Sequence, residues 1–513
     1  MTLRTALTTL LALGGLAAAG LAQDGADRLP WHGKHGPLVR GDGSPWRPEL
    51  QLELTLPQFA RPEPFRTVLP FDGAWVEVDL VPHSIRTPDF KLLERGADGV
   101  VREVVPPPSR LYHGEIVGRP GSEVRATLDE LGRLSATLET ETSAWYVQPL
   151  DDFVQGAGPR SHAVYSYLNI MASPGRCGVD DASSAPWAPE RQGGHGSPAH
   201  GSPGHVHGRG AARPDREDDG PLVAKTVSYR AAGVACYVDN QYFQWAGNST
   251  SAAVNDIEAL LDQVTSEYDD NGVNPFKFNF AGAILEVSPG NLYPSTDAAS
   301  LLCEFRTDWK NSANYGFDAE FGHLFTGRDI DGSTIGIATV GVTCGTNNSE
   351  SCPDVINTLA PGLSQTTFSS NMKFRGWLTA HELGHNLGAN HLGSGLFETC
   401  SGDSCQIMCP SIDTIGCALI GISWSQSTVP VINAATAASC FDPASGTVYA
   451  KSVDPVPYPD GTEPLPFASV SAALPHVAAG WTLALYPNVF GESVLVLDQP
   501  MTITTTGGVA TIQ

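Results

Sequence analysis

The segment Leu378–His391 reads L-T-A-H-E-L-G-H-N-L-G-A-N-H and gathers three imidazoles around one carboxylate. On a helix, residues four apart share a face, so His381 and His385 present their rings to one point. Gly388 permits the left-handed turn that ends such a helix, and His391 then returns as a third ligand. Three histidines hold zinc with one tetrahedral position open, the arrangement of a catalytic rather than a structural ion. Glu382 follows the first ligand and reaches the same site, where a carboxylate serves as general base toward water. The bland alternative is a helix that merely carries polar residues. Against it, Phe374, Trp377 and Leu378 line one side and Ala380, Leu383 and Leu387 another. A helix apolar on two faces is buried, and paired buried histidines need a partner such as a metal.

Positioning that helix requires a large frame. At 513 residues the chain exceeds a single core, and several domains are expected. A net charge of −25 excludes nucleic acid and anionic membrane as natural partners, because phosphate binding needs a basic face. Arg4, the apolar stretch Ala6–Ala19 and the small-x-small site Gly20-Leu21-Ala22 make residues 1–22 read as a secretory signal. No later run is long and apolar enough to span a bilayer, so a soluble, secreted protein is expected. Ten cysteines suit that compartment. Cys177 stands alone in the first half, and spacing leaves the connectivity of the others open.

Residues 23–170 read as β-rich: Trp75, Val76, Val78 and Leu80 lie in a strand-like run, and Tyr112–Leu150 alternates apolar runs with turns at Gly118–Gly121 and Gly132. Residues 171–224 carry the segment of Cys177 and then, from about Asp180, a Gly/Pro/His-rich linker, in which His195, His200, His205 and His207 are solvated side chains or a loose metal site. Residues 225–445 form a mixed α/β domain. Val227–Val238 is predicted as a strand, Asn255–Tyr268 as a helix, and Phe276, Phe278 and Phe280 as the alternating face of another strand. Ser295 or Thr296 caps a helix running to Trp309, and Ile335–Val342 is a further strand. Residues 446–513 form a small β module: a helical stretch Pro466–Leu474, then brief strands at Trp481–Leu485, Val494–Leu497, Met501–Thr505 and Val509–Ile512. Short repeats of this kind need stacked neighbours to be stable.

From about Lys225 to Asp442 the chain resembles a metzincin zinc protease of the reprolysin (adamalysin) branch. The likeness is carried by H-L-F-T-G-R-D-I-D-G-S-T-I-G-I-A-T-V-G (His323–Gly341), by the histidine segment and by C-Q-I-M-C-P (Cys405–Pro410). It implies a twisted mixed sheet with a long active-site helix, one catalytic zinc and a tight turn at Met408 beneath the metal; an ordinary core methionine is the plain alternative. It further implies that Thr334, Ile335, Gly336, Ile337 and Ala338 form the edge strand along which an extended substrate lies antiparallel. Tyr112–Leu128 and the W-Y-V-Q-P-L ending at Leu150 resemble a reprolysin propeptide. P-G-R-C-G-V-D (Pro174–Asp180) resembles a cysteine switch, in which Cys177 ligates zinc in the latent form; a disulfide half-cystine is the alternative. Some reprolysins also hold a structural calcium. Asp318 is a candidate ligand for it, although Gly233 stands where the family's glutamate is expected. The C-terminal module resembles the opening rungs of a right-handed β-helix. The resemblance implies a secreted zinc endopeptidase made as a zymogen, acting on protein or peptide substrates and matured by an activating protease near Arg209, Arg213 or Arg216. An adhesion or carbohydrate-binding protein with a disabled protease domain, and an aminopeptidase, are the competing readings.

Overall fold

In a computed structural model the described residues are 46–179 and 230–513, apart from short internal stretches of which 344–358, 393–405, 413–422 and 454–465 are the longest, plus two short fragments before residue 46. The signal-like residues 1–22 and most of the linker, with its four histidines and with Arg209, Arg213 and Arg216, lie outside them.

The N-terminal lobe supplies strands β1 (Leu50–Glu53), β2 (Phe65–Phe71), β3 (Ala74–His83), β4 (Arg86–Arg95), β5 (Val101–Val104), β6 (Leu111–Ile116), β7 (Glu123–Leu128), β8 (Leu134–Thr140), β9 (Ser143–Pro149) and β10 (Ser161–Ser166). Eight of these form one antiparallel sheet in the order β1-β10-β9-β8-β7-β6-β3-β2. Alternation builds its core: Val78 and Leu80, Val124, Ala126 and Leu128, and Leu134, Ala136 and Leu138 all turn to one buried face. Val124 stands opposite Leu138, and Ala126 opposite Ala136. Asp72 and Gly73 both take positive φ at the β2–β3 turn, the backbone that a two-residue hairpin of native twist demands.

Strands β4 and β5 depart from this plan. They leave the first sheet as a hairpin and extend the second, a pairing absent from the reading of 23–170 as one β-rich unit. The burial of β4 explains the departure: successive residues Leu92 and Leu93 are both buried, so each face of the strand needs a cover. Leu92 joins the larger core and Leu93 the smaller one on the opposite side.

The second sheet adds β11 (Gly175–Cys177), β12 (Arg230–Val238), β13 (Phe276–Glu286), β14 (Phe321–Phe325), β15 (Thr334–Ala338), β16 (Ala360–Ser364), β17 (Ser411–Ile412) and β18 (Asp442–Pro443). Its order is β17-β11-β15-β16-β14-β12-β13-β4-β5, with β18 on β12. Helices α1 (Asn240–Trp245), α2 (Thr250–Asp269), α3 (Ala298–Asn311), α4 (Met372–Asn386) and α5 (Thr428–Thr436) accompany it. Phe276, Phe278 and Phe280 share the α2/α4 side with Val254, Ile257, Leu261 and Val264, the apolar stripe of α2.

Three local expectations need correction. Helix α3 is capped by Asp297, whose carboxylate accepts from Ser300 N at 2.9 Å, while Ser295 donates to Glu304 and Thr296 to Asp331. Strand β15 stops at Ala338, short of Val342, because Gly341 N and Val342 N donate instead to His385 O and Asn386 O at the end of α4. In the C-terminal module, Leu495 and Leu497 lie in no strand. Its elements are β19 (Thr447–Ala450), α6 (Val470–Ala473), β20 (Thr482–Leu485), β21 (Val489–Phe490), β22 (Thr502–Thr505) and β23 (Thr511–Ile512). Strands β19, β20 and β22 stack in parallel with Thr447, Thr482 and Thr502 in register, as stacked rungs do.

Helix α4 is bound to α2 by a buried charge pair. Arg375 Nη1 donates to Asp256 Oδ1 at 2.9 Å, Nη2 donates to Tyr242 Oη at 2.8 Å, and the guanidinium lies 4.8 Å from the Trp245 ring centroid. Arg375 is 2% exposed, so removing its partner leaves a charge that water cannot reach. Asp256→Ala should therefore cost about 3 kcal/mol of stability by chemical denaturation; a cost under about 1 kcal/mol would show that the pair contributes no more than a surface bridge.

Candidate metal centre

Helix α4 begins where Asn371 accepts from Phe374 N at 3.2 Å, an N-cap that fixes its first turn. It ends where Gly388, at φ +98°, donates to His385 O at 2.8 Å. That left-handed residue reverses the chain and returns His391 to the helix face. The Nε2 atoms of His381, His385 and His391 consequently lie 3.0, 3.2 and 3.2 Å from one another.

The protons of two of these rings are placed by the backbone. His381 Nδ1 donates to Ile407 O at 2.5 Å and His385 Nδ1 to Ala389 O at 2.7 Å, which leaves each Nε2 an unprotonated acceptor. Burial, with His391 nearby, pulls the pKa of His381 down to about 3, and burial pushes that of His385 well below the ordinary value. Converging acceptors in a buried place lack donors and call for a cation. Nitrogens about 2.0–2.1 Å from a tetrahedral zinc stand about 3.4 Å apart, close to the spacing here, so the donors fit that ion.

The sulfur of Cys177 completes the group. It lies 3.5 Å from His385 Nε2, and the four donor atoms are all within 4.8 Å of one another. Glu382 Oε2 is 3.7 Å from the same sulfur, and its carboxyl is fully buried, which raises its pKa well above the usual range. Cys177 arrives on β11, which runs parallel to β15 with Cys177 beside Gly336 and antiparallel to β17. Gly178 N donates to Gly336 O at 2.8 Å and Cys177 N to Pro410 O at 3.0 Å. The expected substrate strand is thus filled on its outer side by the chain's own segment, in the sense opposite to that expected of a substrate. Among the described residues, no cluster of three metal-binding side chains includes Asp318.

Comparison with known proteins meets this geometry from another side. Residues 254–392 match the Metallo-peptidase family M12B Reprolysin-like model, a span that contains all three histidines and Glu382. The chain carries a reprolysin-like M12B metallopeptidase domain. It is 22% identical over 339 residues to the disintegrin and metalloproteinase domain-containing protein 10 of Xenopus laevis, covering 60% of this chain and 42% of that protein. Two Naja atra proteins, the zinc metalloproteinase-disintegrin-like atrase-B and kaouthiagin-like proteins, are each 23% identical over 285 residues, covering 55% of this chain and 41% of theirs. The chain therefore aligns with about two fifths of the length of these relatives.

Beneath the histidines of the reprolysin-like domain lies a turn from Gln406 to Cys409, closed by Cys409 N donating to Gln406 O at 3.0 Å. Ile407 and Met408 are its central residues. Ile407 supplies the carbonyl that orients His381, and Met408 is buried under α4. Two glycines contribute space: Gly384, which sequence reasoning missed, and Gly336, to which it gave only a place in the edge strand. A Cβ on Gly384 would stand 2.8 Å from Met408 Sδ and 3.2 Å from Trp424 Cη2; one on Gly336 would stand 2.4 Å from Glu382 Oε1. Gly384 was visible inside the motif, but its neighbours lie far along the chain. Gly384→Ala overpacks this contact and should cost about 1–3 kcal/mol, read as a lower denaturation midpoint; an unchanged midpoint would mean that Met408 gives way freely.

Proposed function

We propose that the protein is a secreted zinc-dependent endopeptidase that hydrolyses internal peptide bonds of protein substrates and is made as a zymogen held latent by Cys177. The observation that carries this reading is the convergence of three histidine nitrogens and one thiol within 4.8 Å of one another, with the Glu382 carboxylate 3.7 Å from that thiol. When bound, zinc supplies Lewis acidity toward the scissile carbonyl and lowers the pKa of water to about 7.

The remaining work falls to the chain's own residues. His381, His385 and His391 hold the ion, and the carbonyls of Ile407 and Ala389 keep two of those rings aimed at it. Glu382 Oε1 has no hydrogen-bond partner among the described residues, so it has room to accept a proton. Burial raises the proton affinity of this carboxylate, which suits a base that takes a proton from attacking water and passes it to the departing amine. Gly336 leaves that carboxylate its place. Once β11 departs, the outer side of β15 (Thr334–Ala338) offers main-chain groups to an extended substrate, as strand addition requires.

Latency follows from the same contacts. The thiol of Cys177 sits against both His385 and Glu382, where the reacting water must enter. The reversed direction of β11 keeps its own peptide bonds out of the substrate register. Cys303, Cys409 and Cys440 are disulfide-bonded, which supports an oxidising compartment and agrees with the signal-like residues 1–22. Release is assigned to an activating protease that cuts the arginine-bearing linker near Arg209, Arg213 or Arg216.

Glu382→Ala should retain zinc by metal analysis and lose at least about 100-fold in casein hydrolysis after processing. Undiminished turnover would remove Glu382 from the role of base. Cys177→Ala should cleave casein without processing of the linker. A variant as inactive as the unprocessed parent would show that the thiol is not what silences the site.

A further inference from the structure

A second group of ligand-type side chains lies where the N-terminal lobe meets helix α2. His83 at the end of β3, His113 in β6 and Asp262 in α2 bring three donor atoms within 4.8 Å of one another. A metal ion is not what this group fits. The two imidazoles are stacked, with centroids 3.8 Å apart and planes 19° from parallel, so their in-plane lone pairs do not converge. Arg125, from β7, already supplies the cation: its Nη1 is 2.6 Å from Asp262 Oδ2 and 3.2 Å from His113 Nε2.

We propose that His83, His113, Arg125 and Asp262 form an acid-sensitive latch that holds the N-terminal lobe on helix α2 and loosens when His83 takes up a proton. Asp262 contacts both imidazoles, with His113 Nε2 at 2.9 Å from Oδ2 and His83 Nε2 at 3.8 Å from Oδ1. Its charge is balanced by Arg125, whose other nitrogen faces Glu123 on β7. On α2 the next carboxylate, Glu258, is engaged by Arg86 at 2.8 Å and Ser84 at 2.6 Å, and is not available to a new charge. Lys277 of β13 adds a further positive charge facing His83. A proton on His83 meets the charges of Arg125 and Lys277, with the ring of His113 stacked against it.

The sign follows from this arrangement. Burial and these positive neighbours hold His83 well below its ordinary value while the lobes are docked. In the parted lobes that histidine titrates near pH 6.5. The docked form therefore binds fewer protons, and docking is strongest above that pH and weakens as pH falls below it. Protons have a route, since the side chain of His83 is itself 15% exposed. The other bridges across this junction, such as Lys373 with Glu139 at 2.8 Å and Arg86 with Glu258, join strong bases to carboxylates and contain no histidine.

The inference concerns docking and stands apart from the protease reading. Its test is hydrogen exchange on the full-length protein, corrected for intrinsic rates, between pH 7.5 and 5.0. The reporters are amides that join β13 to β4, Phe280 N to Ile85 O and Val287 N to Arg95 O, with α3 as internal control. The opening equilibrium should rise up to about tenfold per pH unit below pH 6.5, one proton being taken up per opening. His83→Gln, and separately His83→Asn, should flatten that slope in whichever variant folds. A parent whose protection is flat across this range, or a folded variant that keeps the parent's slope, overturns the latch. Loss of catalysis alone would touch neither result.

Discussion

Two imidazole nitrogens, stripped of their protons by backbone carbonyls, face each other and a third histidine nitrogen inside the protein at 3.0–3.2 Å. Such an arrangement is unfavourable without a cation, because buried acceptors that lack donors lose their hydration and gain nothing in return. Most of the surrounding architecture serves this convergence. The Asn371 cap and the Gly388 reversal fix the two ends of α4, and the turn at Ile407 fixes the ring of His381. The side chain of Asn386 ties the same helix to the sheet by donating to Thr339 O and Pro361 O, both at 2.9 Å. Tyr268 on α2 donates to Ala380 O at 2.9 Å, so the helix is held from both faces.

Close approach is the second constraint. Backbone and side chains meet here without intervening Cβ atoms: Gly384 admits Met408, Gly336 admits Glu382, and Gly175 lies under the side chain of Ile335 at the start of β11. Each contact joins segments distant in sequence, so each glycine is fixed by the partner it admits. Gly175 has a further consequence. Any side chain there would displace Ile335 and lift β11 from β15, and Cys177 is only two residues on.

The histidine helix, its terminal glycine and the stripe of α2 were legible because their physics is local: a period of 3.6 residues, a cap and a positive φ announce themselves within one segment. The strand read from its apolar run as Ile335–Val342 begins one residue earlier, at Thr334, and its end was misjudged, since His385 and Asn386 compete for the next amides from another element. The hairpin β4–β5 was illegible for a related reason. Nothing in residues 86–104 states which sheet will receive them, and the strand's destination is decided by the exposed edge of β13, encoded nearly 200 residues later. Asp297 displaced Ser295 and Thr296 as cap because all three are competent, and the choice fell to Glu304 and Asp331, which engage the other two.

These non-local pairings connect the docking of the lobe to the fate of the metal centre. Alone, β11 offers β15 and β17 only a few main-chain hydrogen bonds, too few to hold a short peptide at low concentration. It is covalently joined to β10, however, and β10 belongs to a lobe already anchored by the β4–β13 ladder and by Lys373–Glu139 on α4 itself. Tethering turns a weak association into an intramolecular one, with an effective concentration in the millimolar range for a short connection. Occupancy of the site by Cys177 then depends on the whole lobe remaining in place. A cut in the linker does not by itself remove β11, because the linker follows Cys177 and the anchors precede it. On the zymogen reading proposed above, separation of the lobes would have to follow that cut, and the histidine, arginine and carboxylate groups at their junction are where solution conditions would act on it.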